Sequence, residues 1–334
     1  TAFSKAKEIM MFCWPALSDN KRLTPMGYQM SKIDRIMSQC GNPTGVPVYV
    51  PFNAQGEDHL EDFLGMIGIP FEPFPELDVE KFPKDKPLFL LESALFDKDI
   101  LSKIETLLNR GQKVIVTGGF MKGALAKYPE ISKFTSISYS GRRLEADEFQ
   151  VTVSGLYGRN YVKSAYPISF PLLEHRNNAT WTKLNAGHGE YHEGIVMYDT
   201  YGTGCFEVIN LPDMPSRIKD LPQEVLSQIR GEFLDDVIID GTNGVSLFTY
   251  DNGTFGLYCY TNDGCAPVDF NIRINGEVSL MPVSDSDKMN PWMAKAIKPV
   301  SVVDKYPLYM HKDEKESIFH LRMIPGDWKF FKIN

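Results

Sequence analysis

Two runs, Pro87-Leu88-Phe89-Leu90-Leu91-Glu92 and Lys113-Val114-Ile115-Val116-Thr117-Gly118-Gly119, decide the fold class of this chain. Each has a short apolar centre, Leu88-Phe89-Leu90-Leu91 in one and Val114-Ile115-Val116 in the other, the pattern of a strand buried on both faces. Between them Ile100, Leu101, Ile104, Leu107 and Leu108 recur at helical spacing, Asp97 can cap that helix, and Gly111 stands where a helix ends on a left-handed residue. Strand, helix, strand with both strands buried predicts a parallel sheet covered by helices. The pattern extends upstream. Residues 46–51 read as a strand, and 57–66 as a helix with acidic residues in its first turn, where the helix dipole favours them. Residues 71–74 read as an extended piece.

Downstream the rhythm changes. Residues 134–210 are polar and β-like, with apolar runs at 195–198 and 205–209, and Leu221-Pro222 leads a helix through Val225, Ile229 and Phe233. From 236 onward the reading is all β. Strands 245–250 and 254–260 flank Asp251-Asn252-Gly253, a strong hairpin signal. Further strands are expected at 268–274, 276–283, 317–324 and 328–333, which together suggest an antiparallel β-sandwich. At the other end, residues 9–14 read as a short buried strand. Thr24-Pro25 reads as a helix start, followed by a core stripe of Met26, Met30, Ile33 and Met37.

Composition excludes several classes. The chain has 334 residues, 43% of them hydrophobic and 23% charged, the range of a soluble globular protein with ample apolar material for cores. A net charge of −8 and the lack of a basic stripe argue against a nucleic-acid partner. The densest charge run, Lys312-Asp313-Glu314-Lys315-Glu316, is mixed in sign and reads as a solvated loop. No stretch is long and apolar enough for a transmembrane helix, so no membrane partner is expected. The five cysteines, Cys13, Cys40, Cys205, Cys259 and Cys265, show neither a CxxC pair nor a metal spacing. The start Thr1-Ala2-Phe3-Ser4-Lys5 is neither an initiator methionine nor a signal peptide; the sequence reads as processed or as part of a longer precursor, which could be exported.

The residues at 87–92, the helix through Asn109-Arg110-Gly111 and the strand 113–119 resemble a class I glutamine amidotransferase-like domain. It is the kind that follows the catalytic barrel in certain β-galactosidases and is often called a trimerisation domain. Tyr201-Gly202-Thr203-Gly204-Cys205-Phe206-Glu207-Val208-Ile209-Asn210-Leu211-Pro212-Asp213 and Leu221-Pro222-Gln223-Glu224-Val225-Leu226 resemble the end of such domains. Residues 236–334 resemble the small C-terminal sandwich of the same glycosidases. The resemblance implies a flavodoxin-like, amidotransferase-like parallel-sheet domain over 46–234 and a β-sandwich over 235–334. Residues 1–45 would be a connector strand and helix from an upstream domain. It also implies a non-catalytic C-terminal part of a multidomain glycoside hydrolase, which would meet carbohydrate through the parent enzyme and could form homo-oligomers. The alternative is a stand-alone carbohydrate- or small-molecule-binding protein.

A class I amidotransferase carries its nucleophilic cysteine on a sharp turn after a strand. The matching place here is Val116-Thr117-Gly118-Gly119, which holds no cysteine; Thr117 is a weak nucleophile without a paired base. No catalytic residue and no cofactor is therefore expected. Gly118-Gly119 reads as a tight turn, or as an anion site at a helix start. Open α/β sheets bind ligands beyond the carboxyl ends of their strands. Asn53, Gln55, Glu57, Asp58 and His59 fall there, with Glu92 and Ser93, and this set is the candidate pocket for sugar hydroxyls; helix capping in a solvated loop is the competing account. His188, Glu190 and His192 would share one face of a strand and could ligate a cation, but the glycines beside them favour a polar turn. Trp181, Tyr198 and Tyr201 could stack on sugars.

Overall fold

A computed structural model describes residues 2–6, 20–152, 159–260, 266–284, 296–304 and 315–334. The expected strand at 9–14, with Cys13, lies outside them, as do Cys265 and residues 312–314 of the charge run. Lys315 and Glu316 open a strand, Lys315–Met323, rather than lying in a loop. No described helix is long and apolar enough to cross a membrane.

Two compact units make up the chain. One comprises residues 46–243; the other combines residues 1–45 with 244–334. The units thus cross the three expected segments, since residues 1–45 group with the C-terminal strands.

Strands are numbered along the chain. The unit 46–243 holds β2 (Val46–Tyr49), β3 (Phe71–Phe74), β4 (Leu88–Leu90), β5 (Lys113–Thr117), β6 (Ile137–Thr152) and β7 (Arg159–His175). It continues with β8 (Trp181–His188), β9 (Tyr191–Tyr201), β10 (Gly204–Ile209) and β11 (Val237–Asp240). Its helices are α2 (Leu60–Met66), α3 (Ile100–Asn109), α4 (Gly118–Lys127) and α5 (Gln223–Phe233). Nine of these strands form one sheet in the order β3-β2-β4-β5-β10-β9-β8-β6-β7.

The wholly parallel sheet is corrected here. β3, β2, β4, β5 and β10 run parallel, but β10 pairs antiparallel with β9, and β9, β8, β6 and β7 continue antiparallel. The sheet is mixed because the polar stretch after α4 folds as hairpins, which need no helical crossover. In its parallel half, alternate residues face opposite sides. Val48, Phe89 and Ile115 pack with α2 and α5; Leu88, Leu90, Val114 and Val116 pack with α3 and α4.

Local details follow the side chains. Asp97 does not stand at the cap of α3. Its carboxylate accepts from the Asp99 N–H, the Lys103 ammonium and the Tyr49 hydroxyl instead. Gly111 has φ 83° and its N–H reaches the Leu108 carbonyl, closing α3 as expected. Arg230 in α5, wholly buried, donates from Nε to the Ile67 carbonyl at 2.6 Å, from one terminal nitrogen to Ile239 at 2.7 Å, and from the other to Thr242.

The second unit holds α1 (Asn20–Met37), which begins upstream of Thr24 instead of at it. Its first sheet takes the order β1 (Pro43–Thr44), β12 (Val245–Tyr250), β13 (Thr254–Cys259), β18 (Trp328–Ile333) and β15 (Leu280–Pro282). β14 (Val268–Asn275), β17 (Lys315–Met323) and β16 (Ser301–Asp304) pair antiparallel in a second. The turn Asp251-Asn252-Gly253 joins β12 to β13, with Gly253 at φ 75°. Ile36, Met37 and Cys40, at and just after the end of α1, pack on Tyr250 and Phe330.

Candidate functional site

Among the described residues, left-handed backbone is concentrated in the segment that follows β2, whose Glu57 reaches the carboxyl ends of β4 and β5. After β2, Asn53 has φ 59°; then Gly56 stands at 143°, and Glu57, Asp58 and His59 at 50°, 42° and 58°. Left-handed backbone in non-glycine residues is uncommon, and consecutive cases concentrate where function or an imposed contact holds them. The helix expected over 57–66 is therefore corrected: regular helix starts at Leu60, and 57–59 are a left-handed turn before it.

This turn sends the Glu57 side chain inward. Its Oε2 accepts from the Glu92 N–H at 2.7 Å and from the Thr117 hydroxyl at 2.6 Å. Thr117 Oγ1 in turn accepts from the Phe120 N–H at 3.0 Å and so caps α4. The nearby Gly119 amide also favours the charged form of the Glu57 carboxyl. Burial pushes the Glu57 carboxyl up to about 7, while the hydrogen bonds from Thr117 and the Glu92 amide pull the other way. A Cβ at Gly119 would lie 2.4 Å from Glu57 Oε1, so any larger residue there would push the Glu57 side chain out of its place. Gly118-Gly119 is thus the first turn of a helix, and its amide end faces a carboxylate from this same chain.

Of the candidate pocket residues, Glu57, Glu92 and Ser93 come together at the strand ends. Ser93 is buried, and its hydroxyl has no hydrogen-bond partner among the described residues. Asn53, Gln55, Asp58 and His59 stay exposed on the segment above. His59 Nδ1 lies 3.7 Å from Glu61.

A family model described as "Uncharacterized protein SSO3021, second domain" matches residues 41–214. The chain belongs to this family. No curated protein matches it. Similar solved structures include Gan42B, a GH42 β-galactosidase from G. stearothermophilus, with a TM-score of 0.48 and 10% identity over 94% of this chain and 44% of that one. A β-galactosidase from Bacillus circulans sp. alkalophilus has a TM-score of 0.46 and 11% identity, over 95% of this chain and 46% of that one. A β-galactosidase from the haloarchaeon Halorubrum lacusprofundi has a TM-score of 0.44 and 12% identity, over 91% and 42%. The chain spans less than half the length of each of these enzymes.

The stretch matched by the SSO3021 second-domain family contains Glu57, Glu92 and Thr117, and also the three candidate metal ligands. His188 ends β8 and His192 lies near the start of β9, with Glu190 exposed in the turn between them, where Gly189 has φ 60°. His188 Nδ1 contacts Asp147 at 2.7 Å, and His192 Nε2 lies 3.4 Å from Glu148. Among the described residues no group of three or more His, Cys, Asp or Glu could hold a metal ion. Trp181 is exposed and stands opposite Tyr198 across β8 and β9. Tyr201 points elsewhere, packing on Phe134 and donating to Glu105 at 2.9 Å.

Sequence reasoning missed a second charged cluster. Glu207 on β10, with no side-chain exposure, pairs with Lys113 at 2.7 Å and Lys183 at 3.2 Å; Glu232 at the end of α5 pairs with Lys183 at 2.5 Å. Burial, then the neighbouring Glu232, pushes the Glu207 carboxyl up to about 7. The signal was present: a charged residue inside the apolar run Cys205-Phe206-Glu207-Val208-Ile209 has to find partners when that strand is buried.

Proposed function

We propose that this chain is the non-catalytic part of a multidomain glycoside hydrolase, its α/β unit shaping an active-site rim or an oligomer interface of the parent enzyme. The observation that carries this reading is the state of Thr117. It occupies the elbow position where an amidotransferase-like fold would place its nucleophile. Its hydroxyl is committed twice, donating to Glu57 and accepting from Phe120 N–H. The space beside Gly119, where an oxyanion would sit, is filled by the Glu57 carboxyl group. A site filled in this way supports a structural contribution to chemistry performed elsewhere. The domain order read in the sequence supplies the glycosidase context.

The test is to assay this chain and the full-length gene product side by side against a panel of aryl glycosides. Turnover by the full-length product with none from this chain supports the reading. Sustained turnover by this chain alone overturns it.

A second reading, a carbohydrate- or small-molecule-binding module, is favoured by the left-handed backbone at Asn53 and at 57–59 beside the exposed polar groups. A thermal-shift screen with mono- and disaccharides tests it. A specific shift that Asn53→Ala abolishes supports it, and no shift with any sugar rejects it.

A further inference from the structure

The run Glu57-Asp58-His59 adopts a conformation that its own side chains disfavour, because Cβ crowds the following carbonyl in left-handed backbone. Its neighbours do not relieve this. Asp58 and His59 point to solvent, and α2 begins only at Leu60. What the run achieves is the delivery of one carboxyl group to donors on two other elements, beside the first turn of a third. The donors are the Glu92 N–H from the turn Glu92–Phe96 and the Thr117 hydroxyl at the end of β5, and the carboxyl group lies against Gly119 in the first turn of α4. Two glycines leave room for it. A Cβ at Gly119 would strike Glu57 itself, and a Cβ at Gly56 would lie 3.0 Å from Glu92 Cβ.

We propose that the Glu57 side chain is a latch: docked among Glu92, Thr117 and Gly119, it holds segment 51–59 against the strand ends, and its withdrawal into water releases that segment. The segment carries Phe52, which is 70% exposed, and the exposed Asn53 and Gln55. Releasing it uncovers the amide end of α4 and the buried Ser93, so the latch controls access to the strand-end crevice.

The charged groups around the latch set its direction. Glu92 faces it from the turn after β4 and is the one whose negative charge acts on it. On its own segment and on α2 stand Asp58, His59 and Glu61, the last two near each other. The turn Pro215–Asp220 packs against 57–59, and there Arg217 is paired with Asp220. Lys122, in the early part of α4, is exposed. Among the described groups, then, the charge acting on Glu57 comes from a like-charged neighbour. The docked carboxyl retains its proton to about pH 7, whereas a carboxyl in water gives it up near its ordinary value of 4.5. Protons therefore favour the docked form. The latch is shut in acid and loosens as pH rises through neutrality, because the withdrawn form gains by ionising in water.

Hydrogen exchange followed by mass spectrometry on peptides covering 51–66 tests this, with protection corrected for the intrinsic pH dependence of exchange. Between pH 6 and 8.5, protection of 51–59 is expected to fall about tenfold in the native sequence. Peptides from β4 and β5 should be unchanged. Glu57→Gln removes the ionisable group while leaving an oxygen to accept from Glu92 and Thr117, so its protection is expected to be flat across the same range. Flat protection in the native sequence overturns the proposal. So does a tenfold fall that persists in Glu57→Gln, which would assign the titration to another group.

Discussion

Lys183 on β8 reaches across the intervening strand β9 to pair with Glu207 on β10 at 3.2 Å, its ammonium passing 5.0 Å from the centre of the Tyr198 ring. The same ammonium holds Glu232 at 2.5 Å. One partly exposed cation thus serves two carboxylates, one of them fully out of solvent.

Replacing Lys183 by methionine leaves Glu207 with Lys113 alone. Breaking a buried pair typically costs about 3–5 kcal/mol, and the partial exposure of Lys183 lowers the expectation to about 2–3 kcal/mol at pH 8. The loss should shrink in acid. Glu207 holds its proton up to about 7, above its ordinary 4.5. The stability linked to that proton is complete below about 4.5 and gone once pH passes the folded value. Without Lys183 its proton is held still more firmly, so the variant recovers as pH falls. Urea denaturation at pH 5 and pH 8 measures both effects, and an equal loss at the two values would show that charge is not what Lys183 supplies.

Thr117→Val keeps the shape of the strand end but removes the hydroxyl that caps α4 and donates to Glu57. The loss of a helix cap is worth about 1 kcal/mol, and a buried acceptor left short of a donor adds a comparable amount. A drop of about 2 kcal/mol in unfolding free energy is expected. Thr117→Ser, which retains the hydroxyl, should recover most of it.

Arg230→Lys preserves the charge but not the planar fork that reaches the Ile67, Ile239 and Thr242 carbonyls. Buried carbonyls left unpaired cost about 1–3 kcal/mol each, and a lysine can serve one or two of the set. A loss of about 2–4 kcal/mol is expected, measured as a shift in the guanidinium midpoint with the slope unchanged.

Gly204 opens β10 close to the end of α3. A Cβ there would lie 2.4 Å from the Leu108 carbonyl oxygen and 2.9 Å from that of Gln112, both backbone atoms with little freedom to move. Gly204→Ala should cost about 1–3 kcal/mol. Gly65→Ala, which meets nothing within 4 Å, is the control and should be neutral or slightly stabilising. Differential scanning calorimetry of the two variants separates crowding from backbone entropy.

The parallel half of the sheet was readable because the middle of a strand covered on both faces must be apolar, as Leu88–Leu90 and the three residues between Lys113 and Thr117 are. The hairpin at Asp251-Asn252-Gly253 was equally local. The mixed character of the sheet was not, because nothing within Cys205–Ile209 says that one side meets Val114 and the other Asp199. Partner choice is a long-range property. At the candidate site, Glu57 and Glu92 were placed at the strand ends from the pattern alone. The left-handed turn was missed because Glu57, Asp58 and His59 have no glycine among them and sit in a run that favours helix. Only the cradle at Thr117 and Gly119 explains that turn, and its parts are scattered along the chain. Glu207 was passed over although its neighbours announced a buried charge.

The place of β10 bears on how this chain is made. Lys113 and Cys205 lie side by side in the finished sheet, yet a ribosome emits them far apart in time. Until β10 arrives, β5 presents its unpaired edge, and the hairpins β6 to β9 can assemble with no strand to join. The unit 46–243 is therefore expected to close late, with β10 joining its two half-sheets before α5, which follows it in the chain, packs onto them. A nascent chain stalled before residue 204 should be the form that aggregates or recruits chaperones.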